Sequence, residues 1–311
     1  LIGLFILLMA AVSIIAFNFY KNVKQPLNPT FFEAVPQHAA LIVKEENFST
    51  LLSKLNSTNM IWHVLVDSTE HAKSLNTQFI RIDSLLASNF KGMVQGNEVM
   101  ASLHLSGANN FDFIYYFNLP GDDLEDKVVQ QVKTAFKANP TARAYDGANI
   151  YTFQVEGTKW SMCLIKGTLA FSKSTVLIED VIREVNSEGS LLTDGDFKKV
   201  LASSGKGQDG NIFVNNKHFS KVVLQFLNKD TKGYCQQLDS YAGWSEFDLS
   251  IKPNSVALNG FSFADENEQI NMFRNQKAQD INITEVIPYN TAFLYHYGLS
   301  DIKEFFNQRK N

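Results

Sequence analysis

Residues 33–43 read EAVPQHAALIV, and residues 285–295 read EVIPYNTAFLY. The two stretches share Glu, Pro and Ala at one fixed offset, and their apolar residues fall in register. Each proline is predicted to start a turn that leads into a hydrophobic strand. A helical pattern follows each strand and is opened by a predicted serine N-cap, Ser49 after the first stretch and Ser300 after the second.

A weaker third copy lies between these two stretches. Residues 212–214 form a strand-like run, and Ser220 precedes another apolar helical stripe. Chance explains the third copy equally well, because any strand–loop–helix unit has this pattern, whereas the shared Glu-x-x-Pro favours a true repeat for the first pair. The repeat therefore predicts one module over residues 33–284 and the start of a second, truncated module over residues 285–311.

The pattern between the two copies predicts an α+β fold. Alternating apolar residues over 99–105 and 111–117 predict two half-buried strands joined by a hairpin. Further strands are expected near 150–155, 160–165, 169–171, 245–252 and 255–263. Capping-box spacing at 67–70 opens a predicted helix whose apolar stripe runs over 75–86, and further helices are expected near 124–136, 176–185, 197–201 and 219–227. Meandering strands with helices inserted in blocks indicate a mostly antiparallel sheet with the helices packed on one face. Whether the module is itself pseudo-duplicated stays open at this point.

The N-terminal segment has the character of a membrane anchor. Residues 1–20 contain no charged side chain, and 17 of the 20 are apolar. About 20 helical residues cross the hydrocarbon core of a bilayer, so this segment is predicted to be a transmembrane helix. A cleaved signal peptide is the alternative, but its apolar region is usually shorter and ends in a small-x-small site. Pro26 and Pro29 disfavour helix, and residues 21–32 are therefore expected to form a linker.

The charges beside this segment bear on its orientation. Lys21 and Lys24 alone would favour a cytoplasmic location for the rest of the chain. A single anchor in front of a large domain nevertheless usually acts as an uncleaved export signal. We therefore expect a membrane-anchored protein whose bulk lies outside the cytoplasm, on the periplasmic side of the inner membrane.

The composition of the 311 residues excludes several classes of protein. A net charge of −4 with interspersed signs gives no electrostatic reason to bind nucleic acid. Two cysteines are too few for a disulfide-built scaffold or a four-cysteine zinc site. Cys163 in a strand-like run and Cys235 in a polar loop fit a buried apolar residue and a loop thiol, with a disulfide between them as the alternative.

Two short motifs have the letters of known sites in the wrong context. Residues 205–210 spell G-x-G-x-x-G, but a helix is predicted before them and a strand after them, the reverse of a dinucleotide site. Residues 203–206 spell the S-x-x-K of acyl-enzyme chemistry, but the glycines disfavour the helix that this motif requires. Both are therefore interpreted as chance matches in a turn.

The remaining candidates for chemistry also favour structural roles. No two of the six histidines have the i, i+4 spacing of a metal site, and His104 on the polar side of a strand is expected to lie at the surface or to satisfy a hydrogen bond. Asp194 is predicted to cap a helix. Trp62 and Trp244 are candidate ligand platforms, but core or rim packing is the favoured interpretation. The sequence thus predicts no catalytic, metal-binding or cofactor-binding residue and leaves the ligand-binding residues undefined.

Several short motifs follow one another in a characteristic order along the chain. They are residues 33–43, Asn59-Met60-Ile61-Trp62, Ser102-Leu103-His104, Tyr145-Asp146-Gly147, residues 167–172, Trp244-Ser245 and residues 258–261. Each motif alone is unspecific, but in this order they resemble the envelope-anchored family catalogued as domain of unknown function DUF 3352, over nearly the whole chain after the anchor. The resemblance implies a longer parent protein with tandem modules. It transfers no activity, because the family has no established catalytic residues.

The sequence supports three hypotheses about function, of which the first is the leading one. It is a non-enzymatic, membrane-tethered extracytoplasmic protein whose modules supply a binding or scaffolding surface to a protein or lipid partner in the cell envelope. The alternative is a carrier of a hydrophobic ligand, such as a lipid or lipoprotein, in a Phe-lined cavity between sheet and helices. A third hypothesis is an envelope hydrolase whose site is assembled from residues distant in sequence.

Overall fold

The computed structural model describes residues 29–88, 90, 98–107, 110–119, 124–187, 189–206, 208–227, 236–280, 282–291, 294 and 296–308. The predicted anchor over residues 1–20 and most of the predicted linker lie outside these ranges. Within them, every helix is too short or too polar to cross a bilayer. The anchor therefore stays a prediction.

The described part of the chain folds around one ten-stranded sheet. Its strands are β1 Leu41–Glu45, β2 Val99–Leu105, β3 Phe111–Asn118, β4 Thr141–Tyr145, β5 Ala148–Val155, β6 Thr158–Ile165, β7 Thr168–Ser172, β8 Gly210–Asn215, β9 Trp244–Lys252 and β10 Ser255–Phe263. Their order across the sheet is β10-β9-β8-β1-β2-β3-β7-β6-β5-β4, and every neighbouring pair is antiparallel. The predicted α+β class with an antiparallel sheet is confirmed.

Helices cover both faces of this sheet. They are α1 Pro29–Glu33, α2 Phe48–Ser57, α3 Met60–Ser68, α4 Glu70–Ala87, α5 Glu125–Phe136, α6 Thr175–Asn186, α7 Gly195–Ser203, α8 Asn216–Phe226 and α9 Ile302–Gln308. Helices α1, α6 and α7 pack on one face, here called the α6 face, and α2, α4, α5 and α8 pack on the other, the α4 face. On β3, Ile114 and Tyr116 belong to the core of the α6 face, while Tyr115 and Phe117 belong to that of the α4 face.

The prediction that the helices pack on one face is wrong, and strand β2 shows why. Its alternation suggested a solvent-facing side at Ser102 and His104, yet both residues are fully buried on the α6 face. Ser102 Oγ lies 2.7 Å from His104 Nε2 and 2.8 Å from the hydroxyl oxygen of Tyr116. Because these polar atoms satisfy one another, the strand buries them without contact with water.

On either side of the β1–β8 pair, two runs of the chain place their strands in the same sequential order. One run is β1, its following helices and the pair β2–β3; the other is β8, α8 and the hairpin β9–β10. Strands β1 and β8 pair antiparallel through Leu41 and Val214, so the two runs extend in opposite directions from this pair. The resulting order β3-β2-β1-β8-β9-β10 is the arrangement that a pseudo-duplicated module would have, with β4–β7 added at one end.

Both prolines of the repeat start the turns that the sequence predicts. Ala39 N donates to Pro36 O at 3.0 Å, and Thr291 N donates to Pro288 O at 3.1 Å. The first turn leads into β1, whereas most of the predicted second strand lies outside the described residues. The start of a second module at residue 285 therefore stays a prediction.

The helices that follow the three copies are not capped by the predicted serines. Helices α2 and α8 begin after asparagines whose Oδ1 atoms accept hydrogen bonds from backbone N–H groups three residues on, at 3.2 and 3.3 Å. The observed caps are Asn47 and Asp301, where the sequence predicted Ser49 and Ser300, and Asn215 caps the helix that contains Ser220. Asn and Asp cap helices as well as Ser does, so a nearby Asx residue takes the place of each predicted serine.

The predicted linker ends earlier than expected. Pro29 is the first residue of α1, a position where its missing N–H leaves no helical hydrogen bond unmade. Phe31 and Phe32 are fully buried, and the ring centroid of Phe32 lies 5.2 Å from that of Phe197. Residues 29–32 therefore belong to the folded unit rather than to a tether.

Two-residue turns place β5, β6 and β7 side by side. Glu156-Gly157 and Lys166-Gly167, both predicted as turns, have positive φ at both residues. This conformation matches the twist of the flanking strands, and glycine adopts it without strain. Strands β5, β6 and β7 extend the sheet beyond β3 and give α4 a broad surface to cover.

Candidate functional site: an aromatic cavity under helix α4

Helix α4 presents polar side chains toward the sheet. Ser74, Thr77, Gln78 and Arg81 recur at helical spacing, and all of them line a cavity between the helix and the sheet. A neighbouring apolar stripe that includes Phe79 packs into the core of the α4 face. The helix is thus attached by one stripe and holds a second, polar stripe over the sheet.

The cavity has a volume of about 410 Å³ and is open to solvent at its rim. Strands β3, β5, β6 and β7 form the side of the cavity opposite α4. The aromatic lining consists of Phe90, Tyr115, Phe117, Phe136, Phe153, Trp160 and Phe171. Cavities of roughly 300–1,000 Å³ with mainly apolar walls are typical of small-molecule sites.

The aromatic rings of the wall hold one another in place. Phe171 meets Phe117 and Phe153 edge to face, with ring centroids 6.0 and 6.4 Å apart. Phe153 in turn stacks on Phe136 of α5 at 5.7 Å. Such pairs each contribute about 0.5–1.5 kcal/mol beyond the burial of area, so the rings are fixed by their neighbours and the space above them stays open.

One polar atom of the wall is satisfied by the protein itself. The hydroxyl of Tyr115 donates to Gln78 Oε1 at 3.3 Å. Burial raises the pKa of Tyr115, so its phenol stays protonated and neutral. The wall therefore offers an apolar surface, and the groups able to bind a polar part of a ligand lie at the rim.

Charged side chains stand at the rim of the cavity. Lys73, Arg81 and Lys173 are cations, and Glu70 is the single carboxylate among the described lining residues. Arg81 forms an ion pair with Glu156, and Lys73 Nζ lies 3.8 Å from Glu70 Oε1. The site thus combines an apolar interior with a positively charged entrance.

A second polar cluster, on the α6 face, has the atoms of a nucleophile–base pair but no access. Ser102 and His104 have no exposed surface, and His38 lies against His104 with ring centroids 5.0 Å apart. Burial lowers the pKa of His104 well below its usual range, so its imidazole is neutral. His104 Nδ1 has no hydrogen-bond partner among the described residues. The cluster belongs to the core. Of the two alternatives predicted for His104, the surface position is wrong and the hydrogen bond is confirmed.

The glycine loop at residues 205–210 contacts a carboxylate of the protein. Gly205 N donates to Asp248 Oδ1 at 3.0 Å, and Asn211 Nδ2 donates to the same oxygen at 2.7 Å. The loop follows α7 and leads into β8, which is the predicted reverse of a dinucleotide site. Gly207 itself lies outside the described residues.

The two tryptophans considered as ligand platforms lie away from the cavity. Trp244 is buried on the α6 face, and its Nε1 donates at 3.1 Å to Oδ2 of Asp194, the predicted and observed N-cap of α7. Trp62 is half-buried and stacks on Phe79 with centroids 6.5 Å apart. Sequence analysis missed Trp160, because its strand pattern does not show which face of the sheet is hollow.

Cys163 adds no reactive group to the cavity. Cys163 is buried on β6, and burial raises the pKa of its thiol to about 12, which keeps it protonated. Cys235 lies outside the described residues, so a disulfide stays an open alternative. In the part of the chain that the structure describes, no group of three or more His, Cys, Asp or Glu could hold a metal ion.

Comparisons with known proteins add little to this geometry. No protein-family model matches the chain, and no curated protein matches it. Among solved structures, crystal form I of TP0453 matches with a TM-score of 0.35 and 11% sequence identity, over 76% of this chain and 78% of that chain. A similarity this weak supports no conclusion about fold or function, and the resemblance to DUF 3352 stays a prediction.

Proposed function

We propose that this protein is a non-enzymatic binding protein that holds the apolar part of a hydrophobic ligand in the cavity under α4. The observation that carries the proposal is the aromatic wall that faces the polar stripe of α4 across about 410 Å³. An apolar hollow destabilises the protein when it is empty, because its wall lacks packing partners. A hydrophobic ligand supplies those partners.

This proposal favours the carrier hypothesis over a scaffold that binds no ligand. The proposed anchor over residues 1–20 would hold the module close to a bilayer, where hydrophobic molecules are concentrated. In that setting, an open cavity suits the capture or transfer of a lipid in the cell envelope. The fully buried Ser102–His104 pair gives no support to the hydrolase hypothesis, because a substrate cannot reach it.

Docking of an envelope partner is a second candidate function, and helix α3 favours it. Met60, Ile61, Val64 and Leu65 lie on one side of this helix and are 63%, 43%, 62% and 45% exposed. Contiguous exposed apolar side chains mark surfaces that bind proteins or membranes. Val64→Lys should then weaken cross-linking of the full chain to its partner in native membranes and leave the ligand content of the cavity unchanged.

Native mass spectrometry of the full chain tests the cavity directly. Ser74 lines the cavity from α4, so Ser74→Trp should occupy part of the space and reduce the co-purified apolar mass several-fold. Ser84→Trp is the matched control, because Ser84 is an exposed serine of the same helix outside the lining. Equal ligand loads in the wild type and both variants would contradict the proposal, as would a wild-type protein without bound ligand.

A further inference from the structure

Among the residues that the structure describes, one cation at the rim of the cavity has no carboxylate partner. Lys73 stands beside Glu70, and Arg81 is paired with Glu156. The third cation, Lys173, has no carboxylate within 4.0 Å among the residues that the structure describes. This excess is local, because the chain as a whole has a net charge of −4.

The position of Lys173 connects this charge to the apolar interior. Lys173 directly follows β7 and lies two residues after Phe171, so the two side chains leave the strand on the same side. Its Nζ lies 5.5 Å from the ring centroid of Trp160, over the face of a ring that lines the cavity. This contact with the ring places the ammonium group at the boundary between aromatic wall and solvent.

We propose, building on the proposed function, that the ligand is an anionic amphiphile. Its apolar tail lies against the aromatic wall, and its carboxylate or phosphate head group pairs with Lys173 at the rim. A molecule of this class matches both features at once, since a neutral apolar ligand leaves the ammonium unpaired and a small polar anion leaves the wall empty. The pairing requires only that the head group stay in water at the entrance, which the exposed side chain of Lys173 allows.

Photo-cross-linking of the full chain in lipid nanodiscs tests this inference. The probes are a diazirine-labelled fatty acid, the fatty alcohol of equal length, and a lysophosphatidic acid with the same chain. Mass spectrometry of peptides identifies cross-links to the cavity wall. We expect the acidic probes to label the wall about two- to fivefold more than the alcohol, the range of one exposed ion pair. The stronger of the two acidic probes identifies the head group as carboxylate or phosphate.

Variants of two lysines separate charge recognition from binding. Lys173→Gln should remove the preference for acidic probes, and Lys173→Arg should retain it. Lys159→Gln is the control, because Lys159 is an exposed lysine of β6 outside the lining of this cavity. If the alcohol labels the wall as strongly as the acids and Lys173→Gln changes nothing, the anionic ligand is refuted and the proposed function stands. If no probe labels the wall, the proposed function itself fails.

Discussion

The two faces of the sheet are covered by helices of opposite character. Helix α6 turns an apolar stripe toward the sheet, and all of its members are buried: Leu177, Ile178, Val181, Ile182 and Val185. Helix α4 holds Ser74, Thr77, Gln78 and Arg81 at the same kind of spacing over the opposite face. The first helix fills the space above its strands, and the second leaves a cavity.

The hollow originates in the helix and not in the sheet. Strand β3 supplies aromatic rings to both faces, Tyr116 to the α6 face and Tyr115 to the α4 face. Tyr116 is enclosed in a solid core, while Tyr115 lines the cavity. The same strand therefore forms a core or a binding wall, depending on the side chains that the covering helix provides.

Removing one aromatic ring from each face of the sheet should give the largest difference between the faces in the free energy of unfolding. Phe197→Ala removes a fully buried ring from the α6 face and should lower the free energy of unfolding by about 3–5 kcal/mol. Phe171→Ala removes a half-buried ring that already borders the cavity, and it should lower that free energy by less than about 2 kcal/mol. Denaturant unfolding followed by tryptophan fluorescence measures both, and equal losses would show that the α4 face is as tightly packed as the other.

The buried polar groups should make stability depend on pH in opposite directions. Burial lowers the pKa of His104 well below normal and that of His218 to about 4. Below pH of about 6.5, the unfolded chain binds protons that the folded chain does not, so the free energy of unfolding falls as the pH falls. Burial raises the pKa of Glu246 to about 8, so the folded chain keeps a proton that the unfolded chain loses, and stability falls as the pH rises from about 4.5 to 8.

Thermal unfolding over a pH series separates these two contributions. His104→Gln should flatten the acid limb of the stability profile, and Glu246→Gln should flatten the limb on the alkaline side. The slope of each limb is the readout, since either variant can also shift the overall level. An acid limb of unchanged slope in His104→Gln would mean that His104 is protonated in the folded protein.

Replacing a polar residue of α4 that lines the cavity with an apolar one should change the free energy of unfolding least and should clearly reduce ligand binding. Thr77→Leu removes a β-branched residue from the helix and places an apolar group toward the aromatic wall, so stability should rise by about 1 kcal/mol. The same change should reduce the ligand load. Thr134→Leu on α5 is the control, because Thr134 is also an exposed threonine whose hydroxyl bonds the carbonyl four residues back, but it does not line the cavity. A ligand load that Thr77→Leu leaves unchanged would place the ligand elsewhere.

Much of the fold was predictable because its signals are local. The alternation over β2 and β3 and the Glu-Gly and Lys-Gly turns each act within a few residues, and the structure contains the elements that they predict. Strand β4, Thr141–Tyr145, was missed because it is a largely exposed edge strand whose alternating apolar positions are only alanines. The second layer of helices was missed because Ser102 and His104 look like solvent-facing residues until their mutual hydrogen bond is known.

The candidate site was less predictable than the fold. A Phe-lined cavity between sheet and helices was one of the alternatives, but its location depends on which stripe of α4 faces the strands. Ser74, Thr77 and Gln78 read in the sequence as an ordinary solvent-facing stripe. Only the packing of the neighbouring stripe around Phe79 turns them toward the aromatic wall.

The pairing of β1 with β8 has a consequence for the order of folding. Leu41 and Val214 are far apart in the chain, so this central ladder closes a long loop and carries a large entropic cost. The cavity, by contrast, is built from the contiguous stretch between Glu70 and Lys173, in which β2–β3 and β4–β7 are hairpin-connected and β3 pairs with β7 over a shorter separation. We therefore expect the strands and helices that line the cavity to form early during synthesis. The pairing of β1 with β8 should form late and limit the folding rate.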